Sequence, residues 1–294
     1  MKIQNACKEC VVKQAMRVGD LLNLSKNDKS AILDIANIHT ANFDDILSPP
    51  QNAYKFYEDA AEYLGVEDIY KDIKKSSSKK AKEFEAMCKE YIQNASDKLL
   101  TATKIAVAGN VIDLASYMQY DLKEELEKIL EREFFIDDFT YLKIVLQKAK
   151  SVVYISDNAG EEIFDKIYIE IIKELFCDIE VYYFTRGKPI INDITYQEAL
   201  DSMIDEVAVV INSGVPTPGF VLELADKEAV RLFNEADLII AKGMGNYECL
   251  SEYEGFNVFY LFKVKCCVVS EAVNAPLGAL VCKKSLEEYN EQNF

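Results

Sequence analysis

The residues best equipped for chemistry are the six of Ser156-Asp157-Asn158-Ala159-Gly160-Glu161, which stand where the apolar run 152–155 stops and a helical pattern begins. They place a carboxylate, a carboxamide and a glycine turn in one short connection. Carboxylate and amide oxygens are hard ligands that suit magnesium or manganese better than softer ions. Similar chemistry recurs in Ile191-Asn192-Asp193 and in Lys242-Gly243-Met244-Gly245-Asn246-Tyr247-Glu248. Together these segments suggest a metal-assisted site with a phosphate-sized pocket.

Bringing such distant segments together requires a particular architecture. From residue 104 onward, short apolar runs recur at 105–108, 152–155, 181–184, 207–211, 238–241, 258–262 and 267–269. Helical-period stretches at 162–176, 197–204 and 227–235 separate most of them. This alternation predicts an α/β fold, a doubly wound and mostly parallel sheet covered by helices on both faces. Residues 1–100 read as helical throughout: Val11, Val12, Ala15 and Met16 fall at helical spacing, Ser48-Pro49-Pro50 is an N-cap followed by proline, and Gly65 is a stop signal. The polar run 74–80 reads as a solvated loop. The expected organisation is an α-helical domain at 1–100 and a Rossmann-like α/β domain carrying the metal and phosphate site at 101–294.

In an open parallel sheet the loops after the strands share one edge, where ligands bind. Those loops carry Gly109-Asn110 and Asp113, then Asp157-Asn158, then Arg186 to Asn192-Asp193, then Asn212-Ser213-Gly214, then 242–248, then Lys263-Val264-Lys265. Lys265 is the candidate phosphate clamp, aided by backbone N–H groups near Gly214 and Gly243 to Gly245. Asn110 and Asp113 would complete the pocket, with Lys242, Gly245, Asn246 and Glu248 on the substrate side. Neither a G-x-G-x-x-G dinucleotide fingerprint nor a G-x-x-x-x-G-K-[ST] phosphate loop occurs.

Composition narrows the field. A formal net charge of −17 over 294 residues disfavours nucleic acid and anionic membrane as partners. No apolar stretch is long enough to span a bilayer and no secretory h-region opens the chain, so a cytoplasmic location is expected. Eight scattered cysteines fit a reducing compartment. The lone histidine, His39, falls in the helical half, so acid–base chemistry passes to carboxylates, lysine or metal-bound water. Cys7 and Cys10 share a face at a helix start, where the dipole favours thiolate; packing thiols and a metal or redox role both fit. Nothing in the sequence sets an oligomeric state.

The ordered set Cys7-x-x-Cys10, Gly109-Asn110-x-x-Asp113, Asp157-Asn158-x-Gly160-Glu161, Asn192-Asp193, Lys242-Gly243-x-Gly245-Asn246-x-Glu248 and Lys263-x-Lys265-Cys266 resembles the damage-control phosphatase family, long catalogued as domain of unknown function 89. The cysteine pair matches its small microbial branch. Cys267 after Cys266 departs from the proline or small residue expected there, which bears on the shape of that loop. The resemblance implies a divalent metal (manganese, nickel, cobalt or magnesium) held by Asp157, Asn158 and Asp193. It implies hydrolysis of small phosphomonoesters, sugar phosphates or damaged phosphometabolites, with a small phosphorylated metabolite as partner. Attack by metal-activated water is expected, with Asp157, Asn158 and Lys265 catalytic. A covalent aspartyl route would call for a second acid at position 159, which is Ala159. The alternatives are an S-adenosylmethionine-dependent carboxyl methyltransferase, or a phosphometabolite-binding protein without turnover.

Overall fold

The computed structural model describes residues 1–115 and 122–285, with the backbone alone at 110–115, 122 and 125. Six helices open the chain: α1 (Asn5–Leu21), α2 (Lys26–Ala41), α3 (Pro49–Leu64), α4 (Lys71–Lys82), α5 (Glu85–Asn94) and α6 (Lys98–Ala115). Then follow α7 (Leu122–Glu131), β1 (Ile136–Asp137), α8 (Phe139–Leu146), β2 (Ser151–Ile155), α9 (Glu162–Leu175), β3 (Glu180–Thr185), α10 (Tyr196–Asp201) and β4 (Val209–Asn212). The last elements are α11 (Lys227–Glu235), β5 (Leu238–Lys242), α12 (Gly243–Leu250), β6 (Val258–Lys263), α13 (Cys267–Val273) and β7 (Leu280–Lys284). None of the described helices is long and apolar enough to cross a membrane.

The sheet order is β1-β7-β6-β5-β2-β3-β4, parallel throughout except where β7 runs against β6. From β2 the chain winds outward through β3 to β4, then crosses back to β5 on the other side of β2 and winds the opposite way. Its topological switch point therefore lies between β2 and β5, where the two outgoing loops diverge and leave a crevice. Alternate residues of the central strands feed two cores. Val152, Tyr154, Tyr183 and Ile240 pack under α5, α6 and α9, while Val153, Ile155, Ile239 and Tyr260 pack under α11 to α13. Fully burying one such side chain contributes about 1.5–3 kcal/mol, which is why the runs at 152–155 and 238–241 carry no polar face.

Three expectations fail, each for a local reason. The run 105–108 is the middle of α6, not a strand; Ile105, Ala106 and Val107 are all fully buried, because a helix enclosed on every side is apolar all round. The run 267–269 opens α13, where the Cys266 Sγ accepts from the Val269 N–H and caps the helix start. The polar run 74–80 is helix α4, whose Lys74, Ser77 and Ala81 form a buried face at helical spacing. That face presses on the loop after β2. A side chain at Gly160, whose φ is +98°, would stand 3.1 Å from Ser77 Cβ, so glycine alone lets α4 close down there.

A third core, built from Val11, Val18, Ile32, Ala36, Phe56 and Ala60, joins α1 to α3 and extends to Ile190 in the loop after β3. The Ser48 N-cap followed by proline and the left-handed Gly65 at the end of α3 are present as the sequence predicts, and Gln51 completes a capping box with Ser48. The helical layer is thus pinned to the same edge of the sheet as the segments singled out for chemistry. Lys74 adds a second tie: its fully buried ammonium pairs with Asp68 at 2.6 Å and with Glu198 of α10 at 2.8 Å. Replacing it by methionine keeps the stem and strands two carboxylates. We predict that Lys74→Met lowers the unfolding free energy by about 3 kcal/mol, as removal of one member of a buried ion pair does, measured by urea denaturation.

Candidate active site

Asp157 and Asn158 leave the carboxyl end of β2 and turn immediately toward the loop after β3. Asn158 and Asp193 form an isolated antiparallel bridge. Ala159 N–H donates to the Asn192 carbonyl at 2.8 Å and Ile194 N–H to the Asp157 carbonyl at 3.0 Å. These backbone bonds place Asp157, Asn158 and Asp193 side by side, although 36 positions separate the first from the last in the chain. All three are buried.

The side chains are then locked from beneath. Asn158 Nδ2 donates to Asp157 Oδ2 at 2.9 Å and to Glu161 Oε1 at 2.8 Å. Carboxylates only accept, so this contact fixes the amide orientation and turns its oxygen away from them. Glu161 in turn takes the Lys242 ammonium at 3.0 Å. Lys242 also meets Asp165 at 2.6 Å, and the hydroxyls of Tyr154 and Tyr183 donate to the two Asp165 oxygens. On the other side Arg186 Nε donates to Asp193 Oδ2 at 2.6 Å. Asp193 Oδ1 is buried and makes no hydrogen bond.

Four carboxylates (Asp157, Glu161, Asp165, Asp193) therefore share this interior with two cations, Arg186 and Lys242. The imbalance acts on the acids. Burial, then the charges of Glu161 and Asp193, pushes the Asp157 carboxyl well above the usual carboxylate range. Burial raises Asp193 to about 6 even though Arg186 pulls it back. The nearby carboxyl of Glu162, which accepts from the Gly160 N–H and from Ser202 Oγ, is pushed up by burial to about 7.

Above this network opens a cleft of about 330 Å³, lined by Asp157, Asn158, Asn192, Gly245, Glu248 and Lys265 together with residues of α1 and α3. Gly243, with φ of +76°, brings α12 so close that a Cβ would lie 2.0 Å from Asp157 Oδ2; only glycine permits that approach. Glu248 faces the cleft with its carboxyl raised to about 7, chiefly by desolvation.

Of the residues singled out from the sequence, Asp157, Asn158, Gly245, Glu248 and Lys265 line the cleft and Asp193 sits directly behind it. Lys242 and Asn246 point inward instead. Lys242 is consumed by its two carboxylates, while the Asn246 amide donates to the Ser156 and Lys242 carbonyls and accepts from the Phe220 N–H. Gly214, in the loop after β4, packs against Asp226 and Gly187, away from the cleft lining. Asn110 and Asp113 belong to α6, and their side chains lie outside the described residues. The sequence analysis missed the parts played by Arg186, Glu161 and Asp165. A signal was available for Asp165, a charge next to Ile163-Phe164 on a helix packed against the sheet, since a buried charge requires a partner.

Cys7 and Cys10 border the cleft together with Cys266 and Cys267. The thiolate expected from the helix start is not favoured: desolvation raises half-buried Cys7, and the Glu248 carboxylate pushes both Cys7 and Cys10 in the same direction. Among the described residues no group of three or more His, Cys, Asp and Glu side chains gathers so as to hold a metal ion. The expected set is of a different kind, two carboxylates and one carboxamide, and it presents a buried carboxylate oxygen with no hydrogen bond and a local excess of negative charge. Those features fit a hard divalent ion.

Residues 3–281 match the family model described as the damage-control phosphatase ARMT1-like domain. The chain is 32% identical to the damage-control phosphatase PH1575 of Pyrococcus horikoshii, over 97% of this chain and 99% of that one. It is 30% identical to a damage-control phosphatase of Archaeoglobus fulgidus, over 96% and 99%. The crystal structure of the DUF89 family protein PH1575 superposes with a TM-score of 0.89, covering 97% of this chain and all of the other.

Two outcomes follow for the site. Because Lys242 is spent on Glu161 and Asp165, Lys242→Met is expected to cost about 3–5 kcal/mol of stability in urea unfolding. For Glu162, the folded carboxyl titrates near 7 and the unfolded one near 4.5. The folded state thus holds a proton that the unfolded chain has released, and stability falls as pH rises across that window. Urea midpoints of the metal-free protein between pH 4.5 and 7.5 should show this decline, at most about 1.4 kcal/mol per pH unit for one group. Glu162→Gln should make the decline shallower, leaving the part contributed by Asp157, Asp193 and Glu248, whose carboxyls are raised in the same sense.

Proposed function

This chain belongs to the damage-control phosphatase ARMT1-like domain family, and from that premise we propose that it is a metal-dependent phosphatase of small phosphomonoesters. The observation that carries this reading is the union, at the switch point of the sheet, of Asp157, Asn158 and Asp193 beneath a cleft that also holds Lys265. Asp157, Asn158 and Asp193 would hold the ion, most suitably manganese or magnesium given their oxygen donors, with nickel or cobalt as other candidates. A divalent ion bound there supplies charge neutralisation to phosphoryl oxygens and lowers the pKa of a water.

The remaining work falls to the protein. Phosphoryl transfer depends on in-line placement and on neutralising charge spread over equatorial oxygens. Lys265 provides a positive charge at the cleft for one such oxygen. Glu248, protonated in part near neutrality, can donate a hydrogen bond to a phosphoryl or leaving-group oxygen. Arg186 and Lys242 hold Asp193 and, through Glu161, Asn158 in one geometry, so the site needs little reorganisation during reaction. Water is the proposed nucleophile. Asp157 already accepts from Asn158 and is followed two residues later by Ala159, which offers no acid to assist a covalent route.

The test begins with metal-stripped protein, to which manganese, magnesium, cobalt or nickel is returned singly while phosphate release from a panel of monoesters is followed. Release that depends on added metal is expected. Asp157→Ala and Asp193→Asn should each lower kcat/KM by on the order of 10²-fold or more, with unchanged circular dichroism. Full activity in chelator, or in either variant, would refute the assignment.

A further inference from the structure

The turn that delivers Asp193 is held in a conformation that its sequence resists. Asp193 N–H donates to the Ile190 carbonyl at 3.1 Å, closing a four-residue turn whose second residue is Ile191. Ile191 has a φ of +37°. In ordinary turns a positive φ at that place falls to glycine, asparagine or aspartate. For a side chain branched at Cβ it is an outlier, because the substituents on Cβ crowd the backbone. Among the described non-glycine residues with positive φ, Asn23 and Asn274 are of the tolerant type and Met203 is unbranched at Cβ. Ile191 is the branched one, and it stands two residues before the proposed ligand Asp193.

Strain of this kind persists only where the surroundings over-determine it. Two sets of contacts do so here. On one side the turn is tied to the loop after β2: the Asn192 carbonyl accepts from the Ala159 N–H at 2.8 Å, and Asp193 bridges Asn158. On the other side Ile190 is buried in the core of α1 to α3, and the Ile191 side chain packs against that core while lining the cleft. The backbone bonds would form equally well with glycine at 191, without strain. What isoleucine adds is the contact with the helical layer.

Resting on the metal-dependent reading above, we infer that Ile191 is a positioning residue: the helical layer grips its side chain and so holds the turn in the geometry that presents Asp193 to the ion. The helical half thereby contributes to metal affinity without supplying a ligand. Groups that orient a ligand from behind commonly govern affinity in this way.

The test titrates manganese into metal-stripped protein by calorimetry and records urea midpoints of the same samples without metal. It compares the native chain with Ile191→Val, Ile191→Ala and Ile191→Gly. Valine keeps a branched side chain, alanine keeps Cβ alone, and glycine relieves the backbone as well. The urea midpoint of the glycine variant is expected to lie above that of the alanine variant, because a positive φ costs glycine nothing. Manganese affinity is expected to run the other way, roughly tenfold weaker for alanine and at least as weak for glycine, with valine restoring it. A merely structural role would make affinity follow stability. Native affinity in the alanine and glycine variants, or tighter binding by glycine than by alanine, overturns the inference and leaves the metal reading standing. A glycine midpoint below that of alanine overturns it too, since no strain would then reside at 191. If the native chain binds none of manganese, magnesium, cobalt and nickel, the metal reading beneath it falls.

Discussion

The structure depends on a buried electrostatic arrangement at the switch point. Four carboxylates stand against two cations in an interior sealed by α4, α9 and α12. Leaving charges unpaired in low dielectric is costly, and the upward shifts of Asp157 and Asp193 register that cost within the chain itself. A divalent cation in the proposed position would offset the negative charge of Asp157 and Asp193. The feature that strains the site in isolation is the feature that would draw an ion into it.

Around that arrangement the sheet supplies rigidity and the glycines supply proximity. Lys242 ends β5, Asp157 follows β2 and Arg186 follows β3, so neighbouring strands bring cation and carboxylate into register before any side-chain bond forms. Tyr154 and Tyr183, stacked with ring centroids 5.5 Å apart, aim their hydroxyls at Asp165 and so set where Lys242 reaches. From there the order passes outward through Glu161 to Asn158. Each member fixes the next, and the outermost groups face the cleft already oriented.

Much of this was legible in the sequence, and the legible part has a physical common ground. Central strands such as Val152 to Ile155 are buried on both faces, so they read as short apolar runs, and the polar residues that end them mark the ligand edge. The doubly wound sheet followed from that pattern, as did the convergence of Asp157, Asn158 and Lys265. What failed was local or partner-dependent. Residues 105–108 carry a strand-like apolar run that a fully enclosed helix imitates, and the lysine- and serine-rich α4 hides one small, buried face behind exposed lysines. Lys242 and Asn246 carry side chains that suit a phosphate, and sequence alone gives no measure of the carboxylates and carbonyls that claim them first. Strands β1 and β7 were invisible because Ile136-Asp137 is two residues long and Leu280 to Lys284 grades into exposure.

Anion capture in the cleft follows from the same electrostatics. A protein of net charge −17 repels anions at long range, so capture of a phosphoryl group depends on a local field. Lys265 and the proposed ion would create that field where the sheet ends, within a cleft that α1 and α3 also line. The proposed chemistry thus rests on the end of the α/β sheet, and α1 and α3 line the cleft that faces it.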